Sequence, residues 1–282
     1  MKRIEKIAEM QRWSDMFRQS GRRIGFVPTM GYLHQGHLSL IDEARRYCDV
    51  VVVSVFVNPA QFAPGEDYDI YPRDIDRDQK RAAARGADIL FHPSAEEMYP
   101  GEHLTWVNVE KITGIMCGAS RREHFRGVTT VVMKLFNIVK PHIAVFGQKD
   151  AQQAAVVKKM VRDLNMDVEI RVAPVIRESD GLAMSSRNVR LKEGDRKNAA
   201  ELSRILFGLK EALLKGRKPA ELLEEAKNEI RAIPGADLEY LEMRTYPELE
   251  ETDSLEGACV IALAVHFGDV RLIDNVLIEK TS

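Results

Sequence analysis

Apolar and polar positions along the chain fall into two kinds of run. Residues 23–28, 49–57, 88–91, 142–146 and 168–172 are dense in Val, Ile and Phe. The longest of these, DVVVVSVFV, is the unbroken pattern of a parallel strand covered on both faces. Between them, residues 37–48, 74–85, 127–139 and 151–164 carry helical periodicity. Strands alternating with such helices predict βαβ units and an open parallel sheet, with ligands at the carboxyl ends of the strands. Chemistry is therefore expected just after Pro28, Val57, Phe146 and Val172.

Past Pro174 the pattern changes. Residues 192–215 and 219–232 read as two helices, Pro234-Gly235 breaks the chain, and strands are predicted over 237–244, 258–266 and 270–279. Gly268-Asp269 predicts a hairpin between the last two. The expected fold is α/β: a Rossmann-like parallel sheet with flanking helices over residues 1–175, then a smaller α+β domain with an antiparallel sheet over 176–282. A chain of 282 residues suits two domains at roughly 100–200 residues each.

Composition narrows the function. With 41 basic and 43 acidic residues the net charge is −2, which argues against a general nucleic-acid binder. The apolar run ending at Val57 is far below the ~20 residues of a membrane span, and Met1-Lys2-Arg3 opens no signal-peptide h-region. Cys48, Cys117 and Cys259 form no CxxC pair, as expected of free thiols in a reducing cytoplasm.

Four segments carry candidate chemistry. In PTMGYLHQGH, residues 28–37, two imidazoles lie three residues apart at a helix start, and Gly36 lets a flat ring or a phosphate approach the backbone. A metal pair or two unrelated surface histidines would share that spacing. In FGQKDAQQ, residues 146–153, Gly147 permits a tight exit from a strand, Lys149 offers a point charge, and Asp150 suits a helix cap. In DGLAMSSRN, residues 180–188, two hydroxyls beside Arg187 make a loop able to grip a polyphosphate, or a polar interdomain linker. In NPAQF, residues 58–62, Asn58 and Gln61 can read hydroxyls or carboxylates, and the polar, aromatic stretch 66–74 suits a lid or a solvated loop. His124 and Arg126 begin another helix and add possible charge, while His92, His103, His142 and His266 read as structural.

Together these segments resemble the pantoate–β-alanine ligase (pantothenate synthetase, AMP-forming) family of the HIGH-motif nucleotidyltransferase superfamily. PTMG-x-LH-x-GH resembles the HIGH signature and MSSR the KMSKS loop, with NP-x-QF, YPR and FGQKD-x-QQ in family order. The resemblance implies ATP-dependent condensation of pantoate with β-alanine to pantothenate, AMP and pyrophosphate through a pantoyl adenylate. It implies magnesium carried with ATP, a homodimer, and closure by the smaller domain. It also implies that Met30, Gly31, Tyr32, Leu33, His34, Gln35, Gly36 and His37 bind ATP, together with Gly147, Gln148, Lys149, Asp150, Ile176, Met184, Ser185, Ser186 and Arg187. By the same resemblance His37 is the proton donor, with His34, Lys149 and Arg187 catalytic beside it. Gln61 and Gln153 contact pantoate, and Gln61 also borders β-alanine; no metal ligand is assigned. The physics agrees with cationic groups there, because a carboxylate attacking a triphosphate brings two anions together.

Two departures stand out. Arg121-Arg122-Glu123-His124-Phe125 replaces the family's Arg-Pro-Gly-His-Phe, and Ala151 stands where tyrosine is common. Rival readings are a simple nucleotidyltransferase, which would not need Gln61 and Gln153, and a nucleotide-sensing module, which would not need Lys149 and Arg187. A tRNA-charging enzyme would require a basic anticodon domain, and this sequence does not show one.

Overall fold

The computed structural model describes residues 1–279 and divides them into two compact units. Residues 1–147 and 156–173 form the first; residues 148–155 and those from Pro174 onward form the second.

The first unit is built on β1 (Lys2–Ile4), α1 (Ile7–Gln19), β2 (Ile24–Thr29), α2 (Gln35–Arg45), β3 (Val50–Val55), α3 (Ile75–Ala84) and β4 (Ile89–Phe91). Two short helices, α4 (Ala95–Met98) and α5 (Cys117–Ser120), precede α6 (His124–Val139), β5 (Ile143–Gly147), α7 (Ala151–Asp163, of which residues 151–155 belong to the second unit) and β6 (Glu169–Ala173). The strands form one six-stranded sheet in the order β1-β4-β3-β2-β5-β6, each neighbouring pair parallel. Burial of β3 on both faces explains its continuous apolar sequence. Val50 and Val52 pack with Phe26, Phe136 and Phe146, whereas Val51, Val53 and Val55 pack with Leu38 and Ile41.

Sequence periodicity did not reveal β1 or α1. The first is three residues long, and the buried stripe of α1 (Met10, Ser14, Phe17) includes a serine among charged neighbours.

In the second unit, α8 (Glu193–Ala199), α9 (Glu201–Leu214) and α10 (Pro219–Arg231) precede an antiparallel sheet of β7 (Ala236–Thr245), β8 (Cys259–Phe267) and β9 (Val270–Ile278). Leu202, Leu206 and Leu209 of α9 share a core with Ile261, Leu263, Val265 and Phe267, alternate residues of one face of β8. The predicted hairpin is present, with Gly268 at φ +58°. The single helix expected over 192–215 is instead two: at Ala200 the backbone stays right-handed, but its N–H bonds the Lys197 carbonyl one residue short of α-helical spacing.

Candidate active site

Strand β2 lies where the sheet's connections reverse, with β3 on one side and β5 on the other. It pairs with β3 along all six residues but with β5 only at Gly25–Ile143 and Phe26–Ala144. Meanwhile β5 pairs with β6 through to Gly147–Ala173. The carboxyl ends of β2 and β5 therefore part and open a notch at the switch point, where open α/β sheets bind ligands.

The turn leaving β2 at this notch is strongly constrained. Gly31 and Tyr32 both have positive φ, +92° and +49°. A Cβ on Gly31 would lie 2.7 Å from Val55 Cγ1, so no side chain fits there. The Thr29 hydroxyl donates to the Ser54 carbonyl at 2.7 Å and accepts from the Gly31 N–H at 3.1 Å. Asp78 of α3, fully buried, then accepts from the N–H groups of Tyr32 and Leu33, both at 2.7 Å. Burial pushes the Asp78 carboxyl above its ordinary range, against the pull of those two donors and of Arg77.

This turn delivers His34 to the N-cap of α2 and His37 to its third position. The Gly36 N–H donates to His34 Nδ1 at 3.1 Å, and the His34 N–H donates to His37 Nδ1 at 3.3 Å. The imidazoles thus form a reciprocal capping box, a role usually taken by Ser/Thr with Glu/Gln. Accepting at Nδ1 puts the ring proton on Nε2 in both residues. With ring centroids 4.0 Å apart, the pair adds two N–H donors to a helix terminus that already favours anions.

Gln61 sits in the turn Pro59–Gln61 after β3 and is buried. Its Nε2 donates to Met30 Sδ at 3.1 Å, and its Oε1 accepts from Asn58 Nδ2 at 3.2 Å. Asn58 also donates to the Gly127 carbonyl and accepts from the Tyr99 hydroxyl at 2.8 Å. Gly127 is required, since its Cβ would fall 2.2 Å from the Ala60 oxygen. The Gln61 carbonyl accepts from His124 Nδ1 at 3.0 Å, so His124 supports this turn. Arg121 makes a two-armed ion pair with Glu66 at 2.5 and 2.8 Å. The altered Arg122-Glu123 dipeptide leaves α6 starting at His124, with no side-chain cap from Glu123. A cavity of about 350 Å³ opens at the carboxyl ends of β2, β3 and β4, bordered by Met30, Tyr32, Tyr68, Arg73 and His92.

In the second unit, Gln148, Lys149 and Asp150 form one tight turn ahead of α7. Asn275 of β9, 2% exposed, holds that turn by donating to the Gln148 and Lys149 carbonyls at 2.9 and 3.0 Å. Lys149 Nζ lies 3.8 Å from the Asp150 carboxylate, and Gln153 is half-buried on the first turn of α7. Arg177 grips buried Asp274 with both arms at 2.6 and 2.9 Å and donates to the Gly181 carbonyl. Burial pushes the Asp274 carboxyl up while Arg177 pulls it down, and the net direction is up.

The Met184 N–H bonds the Ile176 carbonyl at 2.9 Å, bringing two expected nucleotide contacts together. Ser185 accepts from the Arg187 N–H at 3.2 Å and starts a 3₁₀ turn, Ser186–Arg190, in which Ser186 and Asn188 are buried. Arg196 holds the arm of this segment through Glu178 at 2.7 Å and Asp180 at 2.5 Å.

Sequence reasoning missed Asp78, Asp274 and Asn275, because buried polar residues look like any others until their partners are known. Of the histidines read as structural, His266 meets Glu239 at 3.1 Å, and His103 packs on Tyr99 and Trp106. His92 and His142 bond backbone groups, the Val55 carbonyl and the Ile24 N–H. Among the described residues no three His, Cys, Asp or Glu groups cluster as a metal would need. No described helix is long and apolar enough to cross a membrane.

A reversal-point notch in a parallel sheet, with an anion-seeking helix start beside it, marks the class of nucleotide-handling α/β enzymes. Within that class, the family model for pantoate–β-alanine ligase matches residues 2–277. The pantothenate synthetase of Pelotomaculum thermopropionicum is 54% identical over 275 residues, covering 97% of this chain and 98% of that protein. That of Acetivibrio thermocellus is 52% identical over 280 residues, covering 99% and 100%. The crystal structure of the Thermus thermophilus pantothenate synthetase superposes with a TM-score of 0.92 at 44% identity, covering 98% of this chain and 99% of that one. A Francisella tularensis pantoate–β-alanine ligase, solved with βγ-ATP and β-alanine, gives a TM-score of 0.80 at 36% identity, covering 98% and 97%. The chain belongs to the pantoate–β-alanine ligase family. It is a ligase whose activity is the ATP-dependent formation of pantothenate.

Proposed function

We propose that this ligase works in two steps through a tightly held pantoyl adenylate. In the first, a pantoate carboxylate oxygen attacks the α-phosphorus of ATP and the bond to the β-phosphate breaks, releasing pyrophosphate. In the second, the β-alanine amine attacks the acyl carbon, the bond to AMP breaks, and the amine's surplus proton leaves. The observation that carries this reading is the reciprocal histidine cap of α2, which engages both Nδ1 atoms and sets two imidazoles at a helix start, where the dipole favours anions.

In this reading Met30, Gly31, Tyr32, Leu33, Gln35 and Gly36 shape the bed for ATP, and His34 and His37 grip its phosphates. From the second unit, Lys149 and Arg187 add charge, and Ser185 and Ser186 add short donors. Gly147, Gln148, Asp150, Ile176 and Met184 complete the nucleotide contacts. Gln61 and Gln153 read pantoate, and Gln61 also borders β-alanine; ATP and β-alanine have precedent in the Francisella complex. Magnesium would arrive on the phosphates and offset their charge. An ion that keeps several waters and phosphate oxygens asks few ligands of the chain. The resemblance further supports a homodimer. Buried free thiols at Cys48, Cys117 and Cys259 suit a reducing cytoplasm.

The test is a product assay with ATP, pantoate and β-alanine, each omitted in turn. AMP and pyrophosphate should form, and pyrophosphate should exchange into ATP whenever pantoate is present, even without β-alanine. ADP and phosphate would signal an acyl-phosphate route and overturn the proposal. His37→Ala should lower the exchange by ~10²–10³-fold.

A further inference from the structure

We propose that Asp78, with Arg81, is a positioning residue for the histidine pair: it sets the direction in which the chain enters α2. The reading rests on the two-step function above and concerns a different element, helix α3. Three residues of α3 meet the turn after β2. Asp78 takes the Tyr32 and Leu33 N–H groups at 2.7 Å each. Arg81 donates to the Leu33 carbonyl at 2.9 Å, and the Arg77 guanidinium stacks over the Tyr32 ring at 4.3 Å.

Leu33 is thus fixed at both its N–H and its carbonyl by α3, immediately before the residue that caps α2. The turn would not hold this course by itself, since Tyr32 is a non-glycine residue in the disfavoured left-handed region. Without its clamp, the peptide before His34 can rotate and carry both rings with it. A shift of about 1 Å in such groups costs on the order of 10²-fold in rate.

A buried carboxylate that served only stability would act on every step alike. A positioning role falls on the phosphate-gripping step alone, and that difference is measurable. In Asp78→Asn, which keeps the shape but replaces one acceptor by a donor, pantoate-dependent ATP–pyrophosphate exchange should fall ~30–100-fold. Pantothenate formation from supplied pantoyl adenylate and β-alanine should change less than about 3-fold, because that step does not depend on gripping the triphosphate.

Combined with His37→Ala, the Asp78→Asn loss should nearly vanish, as expected of residues acting through one another. Arg81→Met, on the exposed arm of the clamp, serves if Asp78→Asn fails to fold; it should give the same split at ~3–10-fold. Equal loss in both half-reactions, or full additivity with His37→Ala, would overturn the inference. Absence of exchange in the unaltered enzyme would instead overturn the two-step function and leave the clamp to be judged by the second half-reaction.

Discussion

The turn over residues 30–37 and the segment over residues 176–187, both assigned to the nucleotide in the function proposed above, are held differently. The first is fastened through its backbone. Asp78, Thr29 and the histidines themselves occupy its N–H groups, and Gly31 fits only without a side chain. The second, besides its own backbone bonds such as Met184 N–H to the Ile176 carbonyl, is fastened through charged side chains, the buried Arg177–Asp274 pair and the more exposed Arg196 pairs. Backbone fastening sets geometry and tolerates little change in sequence. Side-chain fastening divides into one pair whose loss is severe and others whose loss is slight, according to burial.

The largest effect should come from breaking the buried pair. Arg177→Met leaves Asp274 in the interior without its ion-pair partner and should cost about 3–5 kcal/mol in urea unfolding. A loss under about 1 kcal/mol would show that Asp274 reaches water and that the contrast is false. Next, Gly31→Ala forces a Cβ toward Val55 at φ +92° and should destabilise by about 1–3 kcal/mol while reducing ATP–pyrophosphate exchange. Unchanged exchange would separate the turn's shape from its use.

Arg196→Met should cost least, about 0–1 kcal/mol, and the difference should shrink in about 1 M salt, where the Debye length is about 3 Å. The hydrogen bond from Arg196 holds the Asp180 carboxyl below its ordinary value of 3.8. Stability from that pair is therefore present above this value and fades as pH falls through the lower folded one. The stability curves of the two proteins should converge at the acid end; a gap that widened there would contradict the assignment.

Much of this architecture was legible in the sequence because periodicity and turn chemistry are local. The unbroken Val50–Val55 strand, the hairpin at Gly268-Asp269 and the histidine-led start of α2 each declare themselves within a dozen residues. What stayed hidden depends on distant partners. Asp78 lies 45 residues beyond Leu33, and Asn275 lies 126 residues beyond Lys149. Neither differs in type from the solvated Asp and Asn elsewhere; only the fold shows which backbone groups they meet. Gln61 was found for its residue type, but its bond to Met30 joins two motifs that the sequence presents separately.

The histidine cap also limits what the imidazoles can do. With each Nδ1 engaged by a helix-terminal N–H, a proton cannot pass through the ring from one nitrogen to the other without uncapping α2. In the function proposed above the pair acts as a fixed clasp rather than a relay, and any proton His37 gives up leaves from Nε2.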